Sequence, residues 1–133
     1  MVFTAAKTPK MKAKNDPRHT NRIKIMQSLF SQSFQNGTKP QESSPEGNIS
    51  KNLKAIDKII AKNAPQWPIM QISPIDLAIL RLATWELLYK SEKEPYKVIV
   101  DEAVEIAKEY GADSSASFIN GVLGSIIKTK LKN

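Results

Sequence analysis

Hydrophobic residues recur at helical spacing along most of the chain, and no stretch alternates apolar and polar residues with the period of two that marks a strand. The most apolar run follows Ser73, Pro74 and Asp76, residue types that favour the N-cap, first position and first turn of a helix. Its apolar side chains, spread around most of the helix circumference, are Ala78, Ile79, Leu80, Leu82, Ala83, Trp85, Leu87 and Leu88. This run therefore predicts the central helix of an all-α domain.

The first helix is predicted to begin at Asp16 and Pro17, an N-cap and first-position pair, and to run to about Ser33. Its apolar side is expected to consist of Ile23, Met26, Phe30 and Phe34. Residues 1–15 have no hydrophobic period and are expected to be disordered when unbound. The pattern thus divides the chain into a flexible arm, residues 1–15, and one folded domain, residues 16–133.

The middle of the chain predicts one loop, one helix and one irregular segment. Residues 35–47 are rich in turn formers and indicate a long loop. Asn48 or Ser50 is predicted to cap a helix that ends near Pro65. Its apolar face is Leu53, Ile56, Ile59 and Ile60. Residues 65–73 contain two prolines, which break any regular element, and Trp67 is expected to cover the core there.

The helix after the central one is predicted to begin at Glu94 and Pro95 and to end at Gly111. One face of this helix is apolar, so its acidic residues are expected on the solvated side, without a catalytic role. They are Asp101, Glu102, Glu105 and Glu109.

The last helix is predicted to be capped by Asp113 or Ser114. Its apolar stripe is Phe118, Ile119, Val122, Leu123, Ile126 and Ile127. Gly121 and Gly124 each weaken a helix by about 1 kcal/mol, so we expect a neighbouring backbone to pass close to them. The chain therefore predicts a compact bundle of about five main helices.

Composition narrows the class of protein. At 133 residues the chain has the size of one domain, and it contains no cysteine, which excludes disulfides, thiolate metal sites and cysteine nucleophiles. Residues 1–14 lack an apolar segment of signal-peptide length, and no run approaches the roughly 20 residues of a membrane span. We expect a cytoplasmic protein without membrane attachment.

The net charge of +7 is concentrated at the ends of the chain. Residues 1–24 contain seven basic residues and one acidic residue, a net +6, whereas residues 25–127 contain ten basic and twelve acidic residues, a net −2. A basic arm ahead of a nearly neutral domain suits contact with a polyanion such as RNA. A solubilising tail explains the same charges equally well.

Catalytic chemistry finds little support in the residues. The single histidine, His19, lies among basic residues, and Ser114, Ser115 and Ser117 have no neighbouring base in the sequence. The chain has neither a Walker loop nor a G-x-G-x-x-G motif. We therefore expect neither an enzyme, nor a metal site, nor a cofactor.

Three phrases resemble the NusB family of bacterial transcription antitermination factors. DLAILRLATWELL resembles the family's A-[IV]-L-R-[IL]-A-x-[YW]-E-[LM], and EPYKVIVDEAVEIAKEYG resembles P-x-K-V-[AV]-I-[ND]-E-A-[IV]-E-L-A-K-x-[FY]-G. FINGVLGSI resembles F-[IV]-N-G-[IV]-L, and RIKIMQSLF in the first helix resembles R-x-x-A-[LMV]-Q-x-L-[YF]. The first three keep their order and spacing over residues 73–127, so we identify the chain as resembling this all-helical family.

The resemblance implies RNA binding without catalysis, as a heterodimer with NusE, which is also a small-subunit ribosomal protein. The pair would recognise single-stranded boxA RNA in ribosomal RNA leaders and act with RNA polymerase and other Nus factors to suppress termination. Self-association without NusE is left open. Two alternatives also remain, a helical protein adaptor and an RNA-targeting domain without boxA specificity.

The resemblance also implies site residues. The RNA-contact positions match Lys14, Arg18, His19, Arg22, Lys24, Ser117 and Phe118. The partner-facing positions match Phe30 and Asp76. Periodicity alone favours a core role for Phe118, and the helix dipole alone explains Asp76.

The chain departs from the family pattern at three places. The arm mixes lysine, arginine and histidine instead of a dense arginine run, and lysine lacks the planar fork that binds phosphates bidentately. Ser117 stands where a basic residue is common. The segment before Ser73 predicts one helix where the family has two or three, so we expect a reduced N-terminal half of the bundle.

Overall fold

In the computed structural model, residues 16–34 and 40–131 are described, and these form helices with no strand. The described α-helices are α1 (Pro17–Gln32), α2 (Pro45–Lys51), α3 (Leu53–Asn63), α4 (Pro74–Leu88), α5 (Tyr96–Tyr110) and α6 (Ser115–Ile126). A 3-10 turn covers Ile69–Gln71 and a π-helical turn covers Ile127–Leu131. The all-α prediction is confirmed, while the expected arm, residues 1–15, lies outside the described residues.

Helix α4 is the centre of the bundle, as its apolar pattern predicts. It packs against α1, α3, α5 and α6, and ten of its fifteen residues are buried. Leu80 is fully buried, and so is Thr84. The other helices each bury one face against it, which is how amphipathic helices gain most of their stability.

Two helix starts are confirmed by their hydrogen bonds. The side chain of Asp16 accepts from the backbone N–H of Arg18 at 2.9 Å, and the Ser73 hydroxyl accepts from the N–H of Asp76 at 3.2 Å. Proline occupies the first turn in both helices, where its missing N–H costs nothing. Helix α5 ends at Gly111, as predicted.

The middle of the chain differs from its prediction. The predicted loop over 35–47 ends early, because α2 begins at Pro45 with Ser44 as N-cap, its hydroxyl accepting from the Gly47 N–H at 3.0 Å. Asn48 lies inside α2 and accepts from Trp85 Nε1 at 2.7 Å instead of capping a helix. The chain breaks at Asn52 and continues as α3. The predicted single helix is thus two, and the expected reduction to one helix was wrong.

Three further expectations are corrected. The buried side of α1 comprises Arg22, Ile25, Met26 and Leu29, while Phe34 lies beyond the helix end and is 57% exposed. Glu102, expected on the solvated side of α5, is buried. Gly121 and Gly124 are exposed, and within residues 16–34 and 40–131 no atom beyond their own helical turn lies within 4 Å of a Cβ built on either, so no described neighbouring backbone packs against them.

Candidate nucleic-acid interface

Arg22 is held in a cage of carboxylates between α1, α4 and α5. Its Nε donates to Glu86 Oε2 at 2.8 Å and its Nη2 donates to Glu86 Oε1 at 2.9 Å, a bidentate pair. Nη2 also donates to Glu94 Oε1 at 3.0 Å, and Nη1 lies 3.8 Å from Glu102 Oε1. Both Arg22 and Glu86 are buried. We call Arg22, Glu86, Glu94, Glu102 and His19 the charge cluster.

Opposing effects act on the pKa of Arg22. Burial by itself lowers the pKa of the guanidinium, because desolvation disfavours its charge. The hydrogen bonds and negative charges of Glu86 and then Glu94 outweigh that penalty, so the pKa is raised above its ordinary value. The guanidinium therefore stays charged at neutral pH. Its hydrogen bonds to Glu86 connect the first half of α1 to α4.

His19 belongs to the same cluster. Its Nδ1 is hydrogen-bonded to Glu102 Oε1 at 2.7 Å, and its Nε2 lies 3.8 Å from Glu109 Oε1. The imidazole is 13% exposed, and the Glu102 side chain is 10% exposed. Both His19 and Arg22 are thus hydrogen-bonded to carboxylates inside the fold.

The other basic residues expected at the RNA contact differ from these two. Arg18 is exposed over 75% of its side chain, and its Nε lies 3.7 Å from Asp16 Oδ1. Lys24 is exposed as well. Lys14 lies outside the described residues and stays a prediction.

Ser117, Phe118 and Asp76 meet in a cleft of about 340 Å³ between the starts of α4 and α6. The Trp67 and Phe118 rings pack edge to face there, with centroids 6.5 Å apart and planes at 80°. Trp67 is 50% exposed, so the predicted cover over the core is also a wall of the cleft. The lining residues are Trp67, Gln71, Ile72, Ser73, Asp76, Ser114, Ser117 and Phe118.

The charge cluster and the cleft lie at opposite ends of α4. Asp76 is in the first turn of α4 and Glu86 is ten residues further on, which at 1.5 Å per residue is about 15 Å along the helix axis. The structure therefore brings Phe118 together with Ser117 and Asp76, but not with His19 or Arg22. Residues expected at the RNA contact form two groups instead of one.

Phe30, expected on the partner side, is half-buried against the core, and its ring meets the Phe34 ring edge to face at 5.0 Å. Phe34 lines a groove of about 420 Å³ together with Met70, which is 92% exposed. The groove's other lining residues are Leu29, Gln32, Ser33, Ser50, Leu53, Ile69, Ile72, Pro74, Leu77 and Arg81. Asp76 lines the cleft and not this groove, although Ile72 borders both.

Sequence reasoning missed Trp67 and Met70 as surface features and Glu86 as the partner of Arg22. Glu86 carried a usable signal, because an acid in an otherwise apolar helix must pair with a buried base. Within residues 16–34 and 40–131, no group of three or more His, Cys, Asp or Glu side chains could hold a metal ion. None of the helices described here is long and apolar enough to cross a membrane.

Comparison with known proteins links this geometry to one family. A model of the NusB family matches residues 47–128, which include every residue of the cleft. The transcription antitermination protein NusB of Roseiflexus castenholzii is 52% identical over 73 residues, covering 54% of this chain and 51% of that protein. The protein of the same name from Clostridium novyi is 49% identical over 80 residues, covering 60% and 59%.

A solved structure gives a longer match. The structure of T. maritima NusB superposes with a TM-score of 0.75 at 32% identity, covering 89% of this chain and 93% of that one. In sequence, by contrast, the matched region spans about half the length of the curated relatives. The structural similarity to T. maritima NusB therefore covers more of this chain than the sequence alignments with the curated relatives do.

Proposed function

The chain belongs to the NusB family, and from this premise we propose that it is an RNA-binding transcription antitermination factor. It binds boxA-type single-stranded RNA together with NusE, acts in the cytoplasm, and reaches RNA polymerase and the other Nus factors through that complex. The observation that carries the proposal is the family match over residues 47–128, because the aromatic cleft lies entirely within it. Its role is binding, with no catalytic step.

Two exposed features support the RNA contact. Arg18 and Lys24 present exposed positive charge on α1, which follows the basic residues 1–15, including Lys14, in the sequence. Phe118 and Trp67 present aromatic surface, on which an unpaired base gains roughly 1 to 3 kcal/mol by stacking. Phosphate attraction at one place and base stacking at another are how single-stranded RNA is generally bound.

Arg22 and His19 have a positioning role in this proposal. Their ring and guanidinium nitrogens are hydrogen-bonded to Glu86, Glu94 and Glu102 inside the fold, so they fix the first half of α1 against α4 and α5. We assign the RNA contacts of the first helix to Arg18 and Lys24, whose side chains are exposed.

We assign the NusE contact to the side of the molecule that contains Phe30 and the groove beside it. Phe34 and Met70 expose more than half of their apolar surface there. Exposed apolar side chains that rim a groove mark protein interaction sites. The same surface could serve self-association when NusE is absent.

Titration of boxA RNA against a scrambled RNA of equal composition, with and without NusE, tests the proposal. We expect boxA to bind more tightly than the scrambled RNA, and NusE to increase that difference. Equal affinities for the two RNAs in the presence of NusE would contradict the boxA assignment.

A helical protein adaptor is the second candidate, and the exposed Phe34 and Met70 favour it. Deleting residues 1–15 separates the two functions and leaves the Asp16 N-cap of α1 in place. An RNA-binding factor loses RNA affinity on this deletion, whereas an adaptor keeps its full partner affinity and has no RNA affinity to lose.

A further inference from the structure

The charge of the folded domain is divided between two regions. Residues 76–113, which form α4 and α5, contain nine acidic and five basic residues, a net −4. Residues 48–75 and 114–131, which include α3, α6 and the π-helical turn, contain one acidic and six basic residues, a net +5. The near neutrality of the domain as a whole therefore conceals a basic region that is separate from the basic arm.

Helix α3 contributes a row of three lysines to this region. Lys54, Lys58 and Lys62 are four residues apart, and all three are exposed. In an α-helix, residues at this spacing fall within about 80° around the axis, with about 6 Å along the axis between one and the next. Ala55 and Ala61, the other exposed residues of α3, are small and uncharged. One side of α3 is therefore uniformly positive.

The π-helical turn adjoins the end of this row. Asn63, the residue after Lys62, accepts from the Ser125 hydroxyl at 2.6 Å, and its Oδ1 lies 3.5 Å from Thr129 Oγ1. These contacts hold the turn against the end of α3, and both lysines of the turn are exposed. We call the five lysines of the row and the turn the lysine face: Lys54, Lys58, Lys62, Lys128 and Lys130.

The lysine face is not neutralised by carboxylates. Among the residues that the structure describes, no ion pair includes any of its lysines. Asp57 is the one acid of α3, and Arg81 binds it through hydrogen bonds of 2.9 and 2.8 Å. Like charges four residues apart destabilise a helix. The three lysines therefore weaken α3 by their mutual repulsion, which a bound polyanion relieves.

The chemistry of the lysine face fits phosphates better than it fits a protein. Protein interfaces depend on aromatic and other apolar side chains at their centre, and lysine is depleted there. On α3 only alanines accompany the lysines. The spacing of about 6 Å is close to the separation of neighbouring phosphates along a nucleic-acid strand. Lysine binds a phosphate as a point charge and reads no base.

We propose that the lysine face binds the phosphates of single-stranded RNA that continues beyond the boxA element. This inference rests on the proposed RNA-binding function and adds a second contact to it, one that does not depend on base sequence. None of the five lysines is among the positions that the family resemblance assigns to RNA. None of them lines the cleft or the groove.

Fluorescence anisotropy with three labelled RNAs, in the presence of NusE, tests the inference. The RNAs are boxA alone, boxA with twelve uridines added at its 5′ end, and boxA with twelve uridines added at its 3′ end. Uridine runs form no stable secondary structure, so a gain in affinity reports phosphate contacts. We expect one of the two extensions to increase affinity about tenfold at low salt and to steepen the salt slope by about 2, since each phosphate contact contributes about 0.7.

Two variants with equal changes of net charge show whether α3 causes this gain. Glutamine keeps the helix propensity of lysine and removes its charge. The lysine-face variant is Lys54→Gln, Lys58→Gln and Lys62→Gln. The matched control replaces three exposed lysines of the acidic region: Lys93→Gln, Lys97→Gln and Lys108→Gln.

We expect the lysine-face variant to lose the gain from the extension and the added salt slope, whereas the control keeps both. Binding of boxA alone should differ little between the two variants. Urea denaturation should show that the lysine-face variant is at least as stable as the unmodified protein, because repulsion along α3 is removed. If the triple variant does not fold, Lys58→Gln alone should reduce the slope by about 0.7.

The outcomes separate this inference from the proposed function. If neither extension increases affinity, or if the lysine-face variant keeps the gain, the inference is overturned while boxA binding stands. If no RNA binds, boxA included, the proposed function fails together with the inference. If the lysine-face variant loses affinity for NusE and keeps the gain from the extension, the lysine face is a protein contact and the inference is wrong.

Discussion

The two ends of α4 show how one helix serves two unlike regions. At its C-terminal end, Arg22 and Glu86 are buried, and Nε and Nη2 of Arg22 donate to the carboxylates of Glu86 and Glu94. At its N-terminal end, the Trp67 and Phe118 rings line an open cleft beside Asp76. Paired and buried charges hold helices together, whereas half-exposed aromatic rings beside a cleft leave surface that a ligand can contact. The difference teaches that burial, and not charge alone, decides which basic side chains are exposed to a ligand.

Removing Arg22 should produce the largest effect and test whether the charge cluster is structural. Arg22→Met leaves Glu86 buried without a counter-charge, which typically costs 3 to 5 kcal/mol, so the free energy of unfolding should fall by about that much. Arg18→Met is the matched control and should change it by less than about 0.5 kcal/mol. Urea denaturation measures both. Equal losses in the two variants would contradict the structural role of Arg22.

The double variant Arg22→Met with Glu86→Leu tests whether the loss of stability comes from leaving Glu86 buried without a counter-charge. Replacing a buried ion pair by apolar residues of similar size is often neutral, so most of the lost stability should return. The pKa of Arg22 is raised, so its stabilising effect is fully present below the ordinary pKa and is lost only as pH rises through the folded value. The difference in the free energy of unfolding between the double variant, which has neither charge, and the unmodified protein should therefore stay constant from about pH 7 to about pH 9.

Phe118 tests the other end of the comparison. Phe118→Leu keeps an apolar side chain against Trp67 but removes the aromatic face, so RNA affinity should fall by roughly 1 to 3 kcal/mol. The free energy of unfolding should change by less than about 1.5 kcal/mol, the usual limit for an exchange of similar hydrophobic residues. An RNA affinity that does not change would remove stacking at the cleft from the mechanism.

Gly121→Ala and Gly124→Ala probe α6 without altering the cleft. In the part of the chain that the structure describes, no atom of another segment lies near either glycine, so a methyl group fits, and each variant should stabilise the protein by about 0.5 to 1 kcal/mol. Thermal unfolding measures the gain. RNA affinity should be unchanged, because neither residue lines the cleft. A loss of stability would show that the space around these glycines is occupied.

Arg18 and Lys24 should have the smallest effect, visible chiefly in the salt dependence. If Lys14, Arg18 and Lys24 each neutralise one phosphate, log affinity falls with log salt at a slope of about −2. Arg18→Ala or Lys24→Ala should reduce that slope by about 0.7 each and weaken all RNA sequences alike. Lys97→Ala, which removes an exposed lysine of α5, should leave the slope unchanged.

The sequence predicts those helices whose signals are local. α4 has Ser73, Pro74 and Asp76 at its start and apolar residues on most sides, so its start and its burial are both confirmed. The start of α2 was missed because Ser44, Pro45 and Glu46 are residues of turns as well as of helix starts. Composition could not distinguish the two, since the deciding hydrogen bond is from Gly47 to Ser44.

The site was less predictable because it depends on contacts between distant parts of the chain. Glu102 has the same sequence pattern as its exposed neighbours, and only the position of α1 shows that it contacts His19. Trp67, Asp76 and Phe118 lie on three separate segments, and no periodicity reports that they line one cleft. The family resemblance supplied Phe118 and Asp76 as site residues, and the structure adds that they are neighbours.

The placement of the chain's two tryptophans gives each end of α4 its own optical reporter. Trp67 is half-exposed in the cleft, whereas Trp85 is buried, with its Nε1 donating to Asn48 at 2.7 Å. With Trp85 replaced by phenylalanine, the remaining fluorescence comes from the cleft and should be quenched by a stacked base. With Trp67 replaced, the remaining emission comes from Trp85, which should not change when RNA binds but should change when the protein unfolds. RNA binding and unfolding can therefore be recorded separately without an attached dye.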